Sequence, residues 1–146
     1  MKKQIKTLFA SLILIFASFS VNAQDRIITE NKLPKEIKTY IKKHFPNNTI
    51  IQASIDKDLM SKSYDVILKE NIKLEFDSKN KIKEIEGNSK LPKSVIPNQI
   101  LKYVQINYPK NFITDWELDN NNQKVELENG ISLEFNMKGE FLRVDN

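Results

Sequence analysis

Two glutamates, Glu75 and Glu134, occupy the same Leu-Glu-Phe context 59 positions apart. A pair of carboxylates can perform general acid–base chemistry when both groups meet in one cleft. Alternation along a strand instead directs both side chains away from the apolar face, alongside Lys73 and Glu126. A solvated glutamate that pairs across neighbouring strands is therefore the favoured interpretation.

The single histidine, His44, is the other candidate for chemistry, as a base or a metal ligand. It falls on the apolar stripe of a predicted helix, which favours packing on a sheet. Without cysteine or a second histidine, no zinc site is expected. A Ser-His-acid triad would have to use His44, and no serine stands in a nucleophile-elbow pattern.

A calcium loop is the remaining candidate, in the run of Asp and Asn at residues 119–122. An EF-hand needs glycine at loop position six and glutamate at twelve, where this chain has Lys124 and Gly130. The run is therefore predicted to be a turn. The sequence predicts no catalytic residue, no metal ligand and no cofactor.

A long internal repeat determines which elements position these side chains. The segment Tyr64–Gly87 returns without a gap as Gln123–Asn146. The recurring apolar positions are Val66, Leu68, Ile72, Leu74 and Phe76, which return as Val125, Leu127, Ile131, Leu133 and Phe135. Such self-similarity in a short chain indicates a tandem duplication.

The first unit reads as one helix followed by four strands. Leu33-Pro34 opens the helix, whose apolar stripe recurs at helical spacing until Pro46. The predicted strands cover residues 50–56, 64–68, 72–76 and 81–86, with Ile51, Ala53 and Ile55 sharing one face of the first. Glu70-Asn71 is predicted to be a two-residue hairpin turn, like Asn129-Gly130 in the second unit.

The second unit repeats this order with two differences. Pro97 is predicted to separate a short first turn from the main helix. Trp116 aligns with the small Ala53, and it is interpreted as core filler rather than an interface anchor.

Residues 1–23 have the pattern of a signal peptide, with three lysines, an apolar run and small residues around Ala23. The remaining chain has 20 Lys+Arg and 19 Asp+Glu, because residues 1–23 contain three lysines and no acids. This balance argues against nucleic acid as a partner. The predicted location is periplasmic or secreted, with no stable membrane insertion after cleavage, and the absence of cysteine rules out disulfides.

The two units resemble the secreted PepSY-like proteins related in fold to β-lactamase inhibitor protein. The shared features are the Leu-Pro helix start, the helix end at Phe-Pro or Tyr-Pro, and the closing LEFDSKNKIKEIEG and LEFNMKGEFLRVDN segments. The resemblance implies an α+β fold in which two tandem α-β-β-β-β repeats form one antiparallel sheet, with both helices on one face and the other face open to a partner. Ile82 and Phe141 stand where that pattern usually has tryptophan.

The expected organisation is a signal peptide (1–23), a loose lead-in (24–32), repeat 1 (33–87) and repeat 2 (88–146). The two repeats together form one PepSY-like domain. The predicted function is an exported, non-enzymatic binding module for an unknown protein or peptide, which includes inhibition. A structural envelope protein or a small-ligand carrier is the alternative, and a hydrolase is the least favoured. The candidate partner-binding residues are Ile67, Lys73, Glu75, Glu126 and Glu134 on the open face, with Leu59 and Met60 in a loop.

Overall fold

A computed structural model describes residues 26–57 and 62–145. The predicted signal peptide and the candidate residues Leu59 and Met60 lie outside the described residues. The helices are α1 (Lys35–His44) and α2 (Asn98–Asn107). The strands are β1 (Arg26–Ile28), β2 (Ile50–Lys57), β3 (Lys62–Leu68), β4 (Ile72–Phe76), β5 (Ile82–Glu86), β6 (Ile113–Asp119), β7 (Asn122–Leu127), β8 (Ser132–Asn136) and β9 (Phe141–Asp145).

All nine strands form one sheet in chain order, and every neighbouring pair is antiparallel. The two meanders join where β5 pairs with β6, and Ile85 lies opposite Trp116 there. Both helices cover the same face of the sheet. The predicted fold, two tandem helix-plus-meander repeats that share one antiparallel sheet, is confirmed.

The core lies between the helices and the covered face of the sheet. Alternation puts every second residue of a strand on that face, and the helix stripes pack against it. Tyr40 meets Phe76 edge-on at 5.5 Å between ring centroids, and Tyr103 meets Phe135 in the same way at 5.3 Å. The central buried residues are Ile37, Ile41, Val66, Leu74, Phe76, Ile85, Ile100, Val104, Trp116, Val125, Leu133 and Phe135. The interpretation of Trp116 as core filler therefore agrees with its burial.

Two details of the first repeat were predicted wrongly. The expected loose lead-in instead contributes the edge strand β1, which pairs with residues 53–55 of β2. The shared face predicted for Ile51, Ala53 and Ile55 is also wrong, because the register of β2 shifts between Ile50 and Gln52. This bulge leaves Ile51 66% exposed, whereas Ala53 is buried.

The hairpins after β3 and β7 have three-residue loops, not the predicted two. Leu68 pairs with Ile72, and the loop between them includes Glu70 and Asn71, both with positive φ (68° and 59°). In the second repeat the loop covers residues 128–130, and only Gly130 has positive φ, at 79°. A turn followed by a left-handed glycine is a common three-residue hairpin.

The predicted break before the second helix is present. Residues 93–95 form a single 3₁₀ turn, and α2 begins directly after Pro97. Leu91 and Ile96 are buried on either side of the turn, so the insertion is anchored in the core.

Candidate functional site

The face of the sheet opposite the helices is crossed by two rows of side chains in register. The first row runs from β2 to β9 through Ser54, Asp65, Glu75, Glu84, Glu117, Lys124, Glu134 and Arg143. The second row runs through Gln52, Ile67, Lys73, Glu86, Asp115, Glu126, Ser132 and Asp145. These two rows constitute the open face.

Strand alternation produces this arrangement. Glu84 and Glu86 flank the buried Ile85 on β5, and Asp115 and Glu117 flank the buried Trp116 on β6. Because neighbours of a core residue in a strand point to the opposite side, all four carboxylates face outward. The junction between the two repeats is therefore the most acidic part of the open face.

Three of the predicted partner-binding residues come together in one groove. Ile67, Lys73 and Glu75 lie on β3 and β4, in a groove of about 290 Å³ that extends to Glu84 and Glu86. The Lys73 ammonium binds the Glu86 carboxylate at 2.9 Å, and Lys83 lies 3.6 Å from Glu75. Both basic groups are thus neutralised by carboxylates of the same face.

A second groove of about 240 Å³ lies over β5, β6 and β7. Glu126, another predicted partner-binding residue, lines it together with Glu117 and Lys124. Glu84 and Glu86 line this groove as well as the first, so the two grooves meet at β5. Open-face residues from both repeats thus line two adjoining grooves.

Glu84 lies at the meeting point and directly opposite Glu117. Burial first, and then the negative charges of Glu117, Glu75 and Glu86, raise the pKa of Glu84 above its ordinary value of 4.5. Like charges directly opposite each other in a sheet are destabilising. The electrostatic cost of the open face is therefore concentrated at the junction of the repeats.

Glu75 and Glu134 cannot act as a joint acid–base pair. They lie on β4 and β8, four strand spacings apart in the sheet order. At about 4.8 Å per spacing, the two strands are about 19 Å apart along the sheet. Paired glycosidase carboxylates lie within about 10 Å of each other.

Glu134 also differs from the expectation that both glutamates are solvated. Its side chain is only 7% exposed. The guanidinium of Arg143 binds one carboxylate oxygen, and the amide of Asn122 donates to the other at 2.6 Å. The cross-strand pairing was predicted correctly, but burial removes most of this carboxylate from contact with a partner.

His44 bridges the two repeats. Its Nδ1 is 2.9 Å from the Ser94 hydroxyl, and its ring lies 4.4 Å from the ring of Tyr40. Burial, and then the charge of Lys43, lower the pKa of His44, so the imidazole is neutral at neutral pH. Among the described residues no carboxylate hydrogen-bonds His44, so the pair lacks the orienting acid of a hydrolase triad.

The run at residues 119–122 forms the predicted turn, in which Asp119 pairs with Asn122 and Asn120 takes a positive φ of 52°. In the part of the chain that the structure describes, no group of three or more His, Asp or Glu side chains could hold a metal ion. No helix in the same part is long and apolar enough to cross a membrane.

Sequence reasoning missed Glu84, Glu86, Asp115 and Glu117 as members of the open face. Their alternation with Ile85 and Trp116 was visible, and it was sufficient to point them away from the core. The pairing of β5 with β6 was not visible, because the repeat describes each unit but not their contact.

The comparisons with known proteins agree with this architecture. A family model described as "Putative beta-lactamase-inhibitor-like, PepSY-like" matches residues 20–61 and again residues 62–143. The resemblance inferred from the closing segments is therefore confirmed. No protein of curated function matches the chain.

Three solved structures from Bacteroides are similar over their whole length. A "putative periplasmic protein" of the DUF2874 family from Bacteroides vulgatus is 38% identical, covering 86% of this chain and 99% of its own, with a TM-score of 0.80. A "putative calcium-regulated periplasmic protein" from Bacteroides thetaiotaomicron is 32% identical (84% and 97% covered, TM-score 0.79). A second Bacteroides vulgatus protein, of "unknown function", is 35% identical (84% and 100% covered, TM-score 0.79). The predicted periplasmic or secreted location is confirmed.

Proposed function

Because the chain belongs to the PepSY-like, β-lactamase-inhibitor-like family, we propose that it is a non-enzymatic binding module that holds a polypeptide against its open sheet face. The observation that carries this proposal is the pair of adjoining grooves that share Glu84 and Glu86. Antiparallel sheets need only one covered face, and here the helices supply the cover. The other face has no helix over it in the described part of the chain and has two grooves.

The distribution of polar groups supports binding rather than catalysis. The duplicated glutamates lie on strands about 19 Å apart, and the carboxylate of Glu134 is buried and bound by Arg143. His44 contacts Ser94 without an orienting carboxylate among the described residues. A small-ligand carrier would need an enclosed apolar pocket, whereas each groove of the open face is lined by at least four carboxylates.

The experiment is capture of a partner from periplasmic extract, followed by reconstitution with the purified partner and calorimetry. The test variant is Ile67→Arg, which puts a bulky cation into the groove over β3 and β4. The matched control is Ile106→Arg on α2, where the isoleucine is 76% exposed and away from the open face.

We expect the control to keep the affinity of the unmodified protein and Ile67→Arg to weaken it by on the order of tenfold or more. Circular dichroism should give the same folded signal for both variants. Equal affinities for all three proteins would mean that the partner does not bind the groove over β3 and β4, and the pair of adjoining grooves would no longer support the proposal.

A further inference from the structure

The charge of the molecule is divided between its two faces. The open face has nine carboxylates, namely Asp65, Glu75, Glu84, Glu86, Asp115, Glu117, Glu126, Glu134 and Asp145. Against them stand four basic groups, Lys73, Lys83, Lys124 and Arg143. On the other side, α1 alone has four lysines and one glutamate. A nearly neutral mature chain therefore presents a negative sheet face.

The basic groups of the open face are already engaged. Lys73 pairs with Glu86, Lys83 with Glu75, and Lys124 with Asp145 at 3.1 Å. Arg143 holds the buried Glu134. No salt bridge in the described part of the chain includes Glu84, Glu117 or Glu126, which lie on three adjacent strands.

The position of these three carboxylates increases their effect on a ligand. Glu84, Glu117 and Glu126 line the 240 Å³ groove, where the protein replaces part of the surrounding water. Charge interactions are stronger where water is partly excluded, and a concave wall of one sign concentrates the field. A cation in this groove would also relieve the repulsion between Glu84 and Glu117, which raises the pKa of Glu84.

The length of the row of carboxylates favours a polypeptide ligand over a small ion. Asp65, Glu75, Glu84 and Glu117 lie on four neighbouring strands, so the row is about 14 Å long. The second row adds Glu86, Asp115 and Glu126 in parallel. Several basic side chains along one segment can engage both rows, and arginine can bind a carboxylate through two hydrogen bonds.

We infer that the partner presents a cationic, lysine- or arginine-rich polypeptide segment, which pairs with Glu84, Glu117 and Glu126 in the groove over β5, β6 and β7. This inference rests on the proposed function, since it specifies the chemistry of the ligand that the open face binds. Charge complementarity on this face would determine the choice of partner and its rate of association more than its final affinity.

The test is a titration of a fluorescein-labelled oligoarginine peptide with the protein lacking its predicted signal segment, followed by fluorescence anisotropy. The test variant is Glu84→Gln/Glu117→Gln/Glu126→Gln. The matched control is Glu30→Gln/Glu36→Gln/Glu128→Gln, which changes the net charge equally at exposed positions outside the open face. Oligoglutamate serves as the control peptide, and light scattering reports self-association.

We expect the unmodified protein and the control variant to bind oligoarginine, with affinity that falls steeply with salt, and the test variant to bind on the order of tenfold more weakly. Equal weakening in both variants would mean a net-charge effect and would overturn the inference. Calcium chloride that binds to the same carboxylates and displaces the peptide at equimolar concentration would assign the groove to a metal ion instead. Self-association that disappears in the test variant would mean that the groove binds the lysine-rich α1 of a second copy.

Failure of this inference can be distinguished from failure of the proposed function. If the Ile67-dependent partner is captured while oligoarginine does not bind, the cationic class is wrong and the binding module remains. If oligoarginine binding requires Glu84, Glu117 and Glu126 while capture is insensitive to Ile67→Arg, the binding surface is the groove over β5, β6 and β7 alone.

Discussion

The third strand of each repeat carries the same glutamate in opposite electrostatic surroundings. Glu75 is 32% exposed and faces Glu84 on the next strand. Glu134 is 7% exposed and faces Arg143 at the equivalent position. The adjacent bulge residue is Lys83 in the first repeat and Leu142 in the second.

This exchange of two neighbouring residues shows how the charge of a duplicated unit can diverge without a change of fold. In the second repeat, Arg143 neutralises the duplicated carboxylate and encloses it at the edge of the sheet. In the first repeat, Glu84 takes the place of the arginine at the centre of the sheet, where it shares a hydrogen bond with Glu75, and Lys83 lies 3.6 Å from Glu75. The repeats therefore share a scaffold, while the negative charge of the open face is concentrated at their junction.

The largest expected difference between the repeats is in the free energy of unfolding. It concerns Ile85 and Val144, which follow Glu84 and Arg143 in the chain and occupy equivalent positions in the two repeats. Ile85 is fully buried at the junction, whereas Val144 is 43% exposed on the edge strand β9. We expect Ile85→Ala to lower the free energy of unfolding by about 2–5 kcal/mol, and Val144→Ala to change it by less than about 0.5 kcal/mol. Urea denaturation measures both. Similar losses would mean that the junction and the edge contribute equally to stability.

The next prediction concerns the stability effect of the residues that lie opposite the two glutamates. Arg143→Ala leaves the buried Glu134 carboxylate with Asn122 as its remaining partner, and we expect a loss of about 1–3 kcal/mol in the free energy of unfolding. Glu84→Gln, at the equivalent position, removes a like charge and should add a few tenths of a kcal/mol.

The double variant Glu134→Gln/Arg143→Ala is the control for this pair, measured by the same urea denaturation. A neutral amide is easier to bury than an unpaired carboxylate, so it should recover part of the loss. If Arg143→Ala and Glu84→Gln change stability in the same direction, the proposed contrast between the two repeats is wrong.

The hairpins offer a smaller contrast in backbone conformation. A side chain at Gly130 would have no atom within 4 Å, so Gly130→Ala tests the positive φ alone. We expect a loss of roughly 1 kcal/mol. Glu70 already has positive φ without being glycine, and Glu70→Asn should gain up to about 0.5 kcal/mol because asparagine tolerates this region better. Thermal unfolding would detect both shifts, and an unchanged Gly130→Ala variant would show that the turn relaxes.

Much of the fold could be predicted from the sequence because each unit contains strong local signals. Proline placed the start of α1, strand alternation placed β3, β4, β7 and β8, and the repeat extended each assignment to the second unit. The errors occurred where local signals are weak. A bulge that exposes Ile51 depends on pairing with β3, and β1 forms through its pairing with β2.

The candidate site was predicted less completely for a related reason. Alternation assigned Ile67, Lys73 and Glu75 to the open face, and they line one groove. The burial of Glu134 depends on Arg143 and Asn122, which belong to two different neighbouring strands. The burial of a side chain on the sheet depends on which strands are neighbours. The repeat alone did not specify that β5 pairs with β6.

The smallest expected difference between the two repeats is in how stability depends on pH, since Glu84 titrates whereas Arg143, at the equivalent position, remains charged. The folded state raises the pKa of Glu84 above 4.5, so folding favours its protonated form. The charged form of Glu84 therefore lowers stability at neutral pH, and this loss disappears as the pH falls through the raised pKa toward 4.5.

Glu84→Gln is neutral at every pH, so its stability advantage over the unmodified protein should be greatest near neutral pH. The advantage should shrink as the solution is acidified toward the ordinary glutamate range. Urea denaturation of both proteins across this range measures the change, because titrating groups that do not interact with Glu84 affect both proteins alike. An advantage that does not depend on pH would mean that glutamine improves packing instead. The contrast with Arg143 would then reflect side-chain shape and not the unneutralised charge at the junction.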